Sequence, residues 1–411
     1  MNAEDIIAAV RARETDRSFI QQDELDVRVR ERVSALPWRG QFTPGLVSKL
    51  IDVYYPGSGM VFDPFLGSGT TVLESIRRGL PSAGCEINPA ALELAGILQL
   101  ASLPRQSRNE LLNQAASHIE KLTLWQGETL FGNDSATSPI DHLLDGHRNA
   151  VDSDLARIFA TTLLLGMGDK KETEPNKIAR AWRQVRELVV DFPPSPTEAQ
   201  VIAADARKVP LEDGCAGLVV TSPPYVNVFN YHQNYRPAVE RIGWNVLPAA
   251  RTEIGSNRKN RQNRFLTVVQ YCIDMALSLT EMARVVSEGG KVVIVVGRES
   301  KVRGVAFSNS EIVATLAEFI PGLSFLRWQE RKFTNRFGVV IYEDILSFDS
   351  VRAAPVCSQS DLISFAKSVA HAFLGEAMHS AEGDVAEDVR LALSGVPEVV
   401  PSPELTLLRS M

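Results

Sequence analysis

Short apolar runs of strand length alternate along the chain with longer stretches whose apolar positions recur at helical spacing. "MVFD" (60–63) and "SAGCEI" (82–87) are two such runs, and "GSGTTVLESIRRG" (67–79) lies between them as a glycine loop that opens a helix. Before them, "LVSKLIDVY" (46–54) has helical spacing. Together these pieces predict a β-loop-α-β unit, the start of a parallel sheet. The rhythm returns in "AQVIAADARKVP" (199–210) and "AGLVVTSPPY" (216–225) and passes through the helix "TVVQYCIDMALSLTEMARVV" (267–286). "SEGG" (287–290) stops that helix, and "KVVIVVG" (291–297) follows as a central strand. "FLRWQERKF" (325–333) and "FGVVIYEDILSF" (337–348) read as the antiparallel pair that closes such a sheet.

The segments between and around these blocks read differently. Residues 97–195 string together helical stretches, "ELLNQAASHIEKLTLW", "DLARIFATTLLLGMG" and "KIARAWRQVRELVV", and interrupt the α/β rhythm as a helical insertion. Residues 1–35 predict a peripheral amphipathic helix, and residues 351–411 are helical and then broken by proline, with no chemistry assigned to them. The predicted organisation is an N-terminal helical segment (1–35), an α/β catalytic domain in two pieces (36–96 and 196–350), the insertion (97–195) and a C-terminal helical tail (351–411). The fold class is α/β, with a mostly parallel twisted sheet.

Composition narrows the function classes. The 411 residues are 45% hydrophobic and 23% charged, the balance of an ordinary globular chain with a core that needs no staples. A net charge of −7 excludes a uniformly basic nucleic-acid coat but leaves room for a local basic patch. Cys85, Cys215, Cys272 and Cys357 show no C-x-x-C spacing, so neither a zinc site nor a disulfide framework is expected. The N-terminus carries acids where a signal peptide needs positive charge, and no apolar run approaches the roughly 20 residues of a membrane span. A reducing, cytoplasmic setting and no membrane partner are therefore expected.

The candidate chemistry sits where strands end. Asp63-Pro64-Phe65-Leu66-Gly67-Ser68-Gly69-Thr70-Thr71 joins a strand to a helix. Its glycines let backbone approach a ligand at the crevice beyond the strand ends. No lysine follows the glycines, so the loop is not a phosphate cradle, and Asp63 suits a cationic group better than a phosphate. Glu86 ends the next strand and Asp205 ends the strand after the insertion. Three carboxylates at successive strand ends converge on one crevice, where one takes ribose hydroxyls and another an adenine amino group. Such a set points to a nucleoside-bearing cofactor with a cationic amino-acid end, S-adenosylmethionine.

"TSPPY" (221–225) follows another strand end. Pro223 and Pro224 lack backbone donors and stiffen the chain, so the Ser222 hydroxyl and the nearby carbonyls point at fixed places. Tyr225 offers a flat face on which a planar base stacks. An aromatic amine is a poor nucleophile because its lone pair is delocalised into the ring. Two acceptors gripping its hydrogens pull the nitrogen toward tetrahedral geometry and present that lone pair to a methyl group.

"DPFLGSGTT" and "TSPPY", with "FTPGLVSKLIDVY" (42–54) before them, resemble the amino-group DNA methyltransferases, which methylate N4 of cytosine or N6 of adenine. The resemblance covers roughly residues 36–96 and 198–348 and implies a Rossmann-like methyltransferase fold. It places Phe42 and Thr43 at the methionine end of S-adenosylmethionine and Asp63, Phe65, Gly67, Gly69 and Thr70 in its loop. It puts Glu86 on the ribose, Asp205 on the adenine, and Ser222, Pro223, Pro224 and Tyr225 in the catalytic tetrapeptide. Serine at the first tetrapeptide position implies cytosine N4. The glycine loop precedes the tetrapeptide here, whereas many cytosine-N4 members have the reverse order, and the long insertion is a second departure. Ring-carbon methylation through a Pro-Cys nucleophile is set aside, since none of the four cysteines follows a proline, and so is a P-C-x-x-C zinc deaminase.

Residues 226–264 are the expected DNA surface. They hold seven basic residues against two acids, a local excess of five positive charges in a negative chain, with Phe229, Tyr231, Tyr235 and Trp244 interleaved. Arg236, Arg258, Lys259, Arg261 and Arg264 are the expected phosphate contacts, and Tyr231 and Tyr235 the supports of an extruded base. The reading is thus a site-specific cytosine-N4 methyltransferase acting on double-stranded DNA. Its rivals are adenine-N6 specificity, an RNA base methyltransferase and a catalytically silent DNA-binding subunit. A cognate restriction endonuclease is the candidate protein partner, and monomer and homodimer both stay open.

Overall fold

The computed structural model describes residues 2–27, 34–124, 138–150, 152–226, 231–255, 260, 262–334, 338–351, 357–405 and 408–409. Seven strands form one sheet: β1 (Met60–Asp63), β2 (Ser82–Glu86), β3 (Ala199–Ala203), β4 (Ala216–Thr221), β5 (Val286–Gly297), β6 (Leu323–Thr334) and β7 (Val340–Ser350). Their spatial order is β3-β2-β1-β4-β5-β7-β6, parallel throughout except for β7, which runs antiparallel to both neighbours. The sheet is that of a Rossmann-like methyltransferase, and the expected closing pair is β6 and β7. Strand order reverses between β1 and β4, which opens a crevice at their carboxyl ends.

The apolar run of β5 has its reason in burial on both faces. Val292, Ile294 and Val296 pack on one side with α12 (Leu266–Val285), α13 (Asn309–Glu318) and α14 (Gln359–Ala377). Val293 and Val295 pack on the other side with α3 (Pro44–Tyr54). α12 ends at Val285, and "SEGG" lies inside β5 rather than between helix and strand: Val286, expected as the last helical residue, already pairs with Ala216, ahead of a register shift that leads into the continuous ladder from Lys291.

Near β1 to β3 the sheet is covered by α4 (Thr70–Ile76), α5 (Pro89–Gly96) and the helices α6 (Arg105–Leu124), α8 (Ser153–Met167) and α9 (Pro175–Val190), which share one apolar cluster. The segment between α6 and α8 also holds α7 (Pro139–Arg148), which the pattern reading missed. Its ten residues include one glycine and two histidines, Gly146, His142 and His147, and few apolar positions to mark a period.

The single peripheral N-terminal helix is not what forms. Residues 2–27 hold two short helices, α1 (Ala3–Arg11) and α2 (Gln22–Asp26), and they are part of the core. Ile6, Ile7 and Val10 of α1 join the α12–α14 side, whereas Ile20 and Leu25 join the α3 side. The link between them passes the edge strand, where the Asp16 amide donates to the Trp328 carbonyl at 2.7 Å and Arg327 lies over the Phe19 ring. Covering β6 satisfies an otherwise open sheet edge, which no local pattern in residues 1–35 announces. After α15 (Gly383–Gly395) the tail returns toward the insertion side, and Leu408–Arg409 pairs with Trp244–Asn245. No helix among the described residues is long and apolar enough to cross a membrane.

Candidate active site

The crevice between β1 and β4 is lined by Phe42, Asp63, Phe65, Gly67, Thr70, Glu86, Asp205, Ser222, Pro224 and Tyr231, all singled out from the sequence. Its empty space, open mouth included, is about 920 Å³.

Asp63 is the joint of the site. Thr221 Oγ1 at the end of β4 donates to its Oδ1 at 2.6 Å, Thr71 Oγ1 in α4 donates to its Oδ2 at 2.7 Å, and the Phe65 amide donates to Oδ1 at 3.0 Å. The carboxylate thus ties β1, β4 and the first turn of α4 together while lining the cleft. Burial pushes its pKa up to about 6 against the pull of these donors.

The glycine loop then turns over β2. Gly67 and Gly69 have φ of +54° and +91°, the left-handed region that glycine tolerates. A Cβ on Gly69 would also lie 2.4 Å from Leu98 Cδ1. The loop is held down by Glu86, whose Oε2 accepts from the Gly67 amide and whose Oε1 accepts from the Ile87 and Asn88 amides, each at 2.8 Å. Burial still dominates and raises the Glu86 pKa to about 7.

Asp205 is engaged from behind, its Oδ1 accepting from Arg207 Nε at 2.9 Å and its Oδ2 from Arg207 Nη2 at 2.6 Å. The Arg207 amide also donates to Oδ1, at 3.0 Å, so the lone-pair capacity left for a ligand in the cleft is on Oδ2.

Three features of the cleft had no signal in the sequence pattern. A strap at residues 34–43 forms one wall: Gln41 Nε2 donates to the Leu36 carbonyl at 2.9 Å and reaches Ser68 Oγ and Thr70 Oγ1 of the glycine loop. Trp38 of the same strap lies against Gly67. Glu253 lines the cleft as a fourth acid; counted along the chain, it only diluted a basic segment. Its Oε1 accepts from the His232 amide at 2.8 Å, and its Oε2 pairs with His232 Nδ1 at 3.0 Å. His232 is buried, and its Nε2 has no hydrogen-bond partner among the described residues. Tyr231 lies beside Gly40 in this wall, with burial raising its pKa to about 12.

The tetrapeptide divides this cleft from a second one. Ser222 lines both, as do Gly40, Gln41 and Phe42, and the second cleft adds Thr43, Tyr225, Arg331, Phe333 and Glu343. Tyr225 packs on Gly297 so closely that a Cβ there would lie 2.7 Å from its Cε2. Its hydroxyl meets Glu343 Oε1 at 3.5 Å, and burial raises its pKa well above the usual phenol value. Asn309 fixes the loop that follows: its Oδ1 accepts from the Val226 amide at 3.1 Å while its Nδ2 donates to the Gly297 carbonyl at 2.9 Å. Arg331 is buried, donates to Thr43 Oγ1 at 3.3 Å, and lies 3.5 Å from Glu343 Oε2. Its Nη1 has no hydrogen-bond partner among the described residues.

The remaining sequence candidates scatter. Pro223 is buried within the loop, and Gly69 caps α4 behind the cleft surface. Tyr235 is committed internally: its hydroxyl donates to the Pro37 carbonyl at 2.8 Å, its amide donates to Asp169, and its ring stacks on Trp38. It fastens the strap to the insertion, where Asp169 also pairs with Arg39. Arg236 pairs with Glu240 four residues on, along α10 (Arg236–Arg241). Arg264 is exposed, and Arg258, Lys259 and Arg261 lie outside the described residues.

Residues 21–96 match the family model described as DNA methylase, of the N6/N4 methyltransferases. A type II methyltransferase of Methanocaldococcus jannaschii, M.MjaII, is 36% identical over 53 residues, 13% of this chain and 10% of that protein. M.ScaI of Streptomyces caespitosus, also a type II methyltransferase, is 40% identical over 55 residues, 13% of this chain and 18% of that protein. The chain therefore spans only a small part of the length of either curated relative. Among solved structures, a SAM-dependent methyltransferase of Methanosarcina mazei aligns over 74% of this chain and 97% of its own, at 11% identity and a TM-score of 0.34, so the fold assignment rests on the strand order described above. The matched segment 21–96 contains the strap, Asp63, the glycine loop and Glu86, so it is this part of the chain that is similar to the amino-group (N6/N4) DNA methylases.

Proposed function

We propose that the chain is an S-adenosylmethionine-dependent DNA methyltransferase acting on the exocyclic N4 amino group of cytosine. The observation that carries this reading is the charge of the first cleft. Asp63, Glu86, Asp205 and Glu253 line it, and no lysine or arginine does among the described residues. A cleft of that sign repels phosphate-bearing nucleotides and suits a nucleoside with a cationic side chain. Its residues fit S-adenosylmethionine: Glu86 and Asp205 at the ribose and adenine ends, Phe42 at the methionine end, and Asp63 with the glycine loop between, whereas Thr43, expected beside Phe42, lines the second cleft instead. When bound, that cofactor supplies a methyl group on a sulfonium sulfur that keeps the bonding pair on departure.

The rest of the chemistry belongs to the chain. Ser222 stands on the wall shared by the two clefts, so an amine held there faces the cofactor side from the base side. Ser222 Oγ and a carbonyl of the proline pair accept the two amine hydrogens and localise the lone pair on nitrogen. Tyr225 and Phe333 give the second cleft aromatic faces for a planar base. The methylated nitrogen is acidic and releases its proton to water, so no strong base is required. Serine at the head of the tetrapeptide supports cytosine over adenine, by the resemblance noted above. Double-stranded DNA is the proposed partner, with residues 226–264 as its surface.

Nucleoside analysis of DNA from cells expressing the protein tests the reading. N4-methylcytosine is expected. N6-methyladenine moves the target, and methylated RNA with unmodified DNA moves the substrate class. Cofactor binding without any methylated base makes the chain a silent DNA-binding subunit.

A further inference from the structure

The C-terminal tail carried no chemistry in the sequence, yet its residues Ser402 and Pro403 pack against the far side of the cofactor cleft. Arg207 connects the two. Its side chain has five N–H donors, and all five are used. Nε donates to Asp205 Oδ1 at 2.9 Å and Nη2 to Asp205 Oδ2 at 2.6 Å. Nη1 donates to Asp274 Oδ1 and to the Ser402 carbonyl, both at 2.8 Å, and Nη2 also donates to the Pro403 carbonyl at 2.9 Å. Ser402 in turn donates from its amide to Asp274 Oδ1 at 2.9 Å and from its hydroxyl to Asp274 Oδ2. The side chains of Arg207, Asp205 and Asp274 are 8%, 11% and 0% exposed.

Two carboxylates thus share one guanidinium, and two of its five donors reach tail carbonyls. Remove the tail contacts and two donors are left unsatisfied in a buried setting, where an unmet donor is costly. The guanidinium then has reason to turn toward solvent, and Asp205 loses the fork that sets the angle of its carboxylate. Asp205 is the only member of this network that lines the first cleft.

We infer that Arg207 and the tail around Ser402 are positioning elements of the cofactor site: they hold the Asp205 carboxylate at the angle from which it accepts the adenine amino group. The inference rests on the cofactor reading above and assigns the tail a part in it.

The test compares two ligands on the full-length protein by calorimetry: S-adenosylhomocysteine, and its analogue with hydrogen in place of the 6-amino group. Two variants are used. Arg207→Lys keeps the charge and loses the fork, and Ser402→Pro removes both Ser402 donors to Asp274. Thermal unfolding checks that each variant folds. The unsubstituted protein is expected to prefer S-adenosylhomocysteine on the order of ten- to a hundredfold, the weight of a hydrogen bond to a charged group. In both variants that preference should fall toward one, through weaker binding of S-adenosylhomocysteine alone. A preference kept in full by folded variants makes the tail merely structural and overturns the inference. Equal binding of the two ligands by the unsubstituted protein overturns it as well, while leaving the cofactor reading intact. Binding of neither ligand by that protein overturns the cofactor reading itself.

Discussion

Ser222 is the residue on which the proposed chemistry turns, and its surroundings separate two effects that are usually entangled. It contributes a hydroxyl to the wall between the clefts, whereas the cofactor acids are anchored through Thr221, Thr71, Arg207 and backbone amides. Ser222→Ala should therefore lower the rate of methyl transfer by about 10²-fold or more, the weight of one positioned acceptor, and leave the affinity for S-adenosylhomocysteine within about twofold. Single-turnover kinetics beside calorimetry measure both numbers, and parallel losses in the two would make the loop a structural part of the cofactor site. Tyr225 and Tyr235 illustrate why residue type alone is an incomplete guide. Both read from the sequence as stacking surfaces, but only Tyr225 lines a cleft, whereas Tyr235 spends its hydroxyl, its amide and its ring on the strap.

Among the elements, the glycine loop and the basic loop make separate demands. At Gly69 a side chain meets both a left-handed backbone and the Leu98 methyl. Gly69→Ala should destabilise the protein by about 1–3 kcal/mol and weaken cofactor binding with it, as read by denaturant unfolding and calorimetry. Gly67→Ala has the same backbone problem but only ordinary contact with Trp38, so it should cost less. Unchanged stability in Gly69→Ala would mean that the loop takes another path. The segment of residues 226–264, which includes α10, is tested through salt rather than stability. If Arg258, Lys259 and Arg261 contact phosphates, alanine at all three should flatten the log-log salt dependence of DNA binding by roughly 3. Affinity should drop for all sequences alike, because phosphate contacts position the duplex without reading it. A triple variant with the parental slope moves the DNA surface to α9, around Lys177, Arg180, Arg183 and Arg186.

At the scale of the whole molecule, the cleft assembles acids from distant parts of the chain and so gives itself a pH dependence. Burial raises Glu86 to about 7 and Asp63 to about 6. Ribose hydroxyls and a sulfonium or ammonium group favour the carboxylate forms, so binding is strongest above both values and weakens as pH falls through about 7 and then about 6. Affinity for S-adenosylhomocysteine should drop about tenfold between about pH 8 and pH 6, as the ionised fraction of Glu86 falls. Calorimetry across that window checks it, and Glu86→Gln should be weaker throughout with a flatter profile. A flat profile in the unsubstituted protein would remove the Glu86 charge from the binding account.

By itself the sequence determined the strands of the parallel sheet, the antiparallel closing pair, the glycine loop and the three strand-end acids. Each is written locally: an apolar run of strand length, a helical period, a glycine where φ must be positive, an acid where the run stops or, for Asp205, two residues past the end of β3. Only the tertiary structure decided what these local signals have no means to encode. Trp38, Gln41 and Glu253 enter the cleft because segments far apart in the chain are brought against the ends of β1 and β4. Residues 2–27 pass the β6 edge and enter the core on both sides because an open strand edge needs cover. Arg207 reaches Ser402 and Pro403 across nearly two hundred residues because two buried carboxylates need a shared cation and that cation needs its last donors met. Hydrogen-bond satisfaction in a buried setting is a property of the packed molecule, and no periodicity in the chain records it.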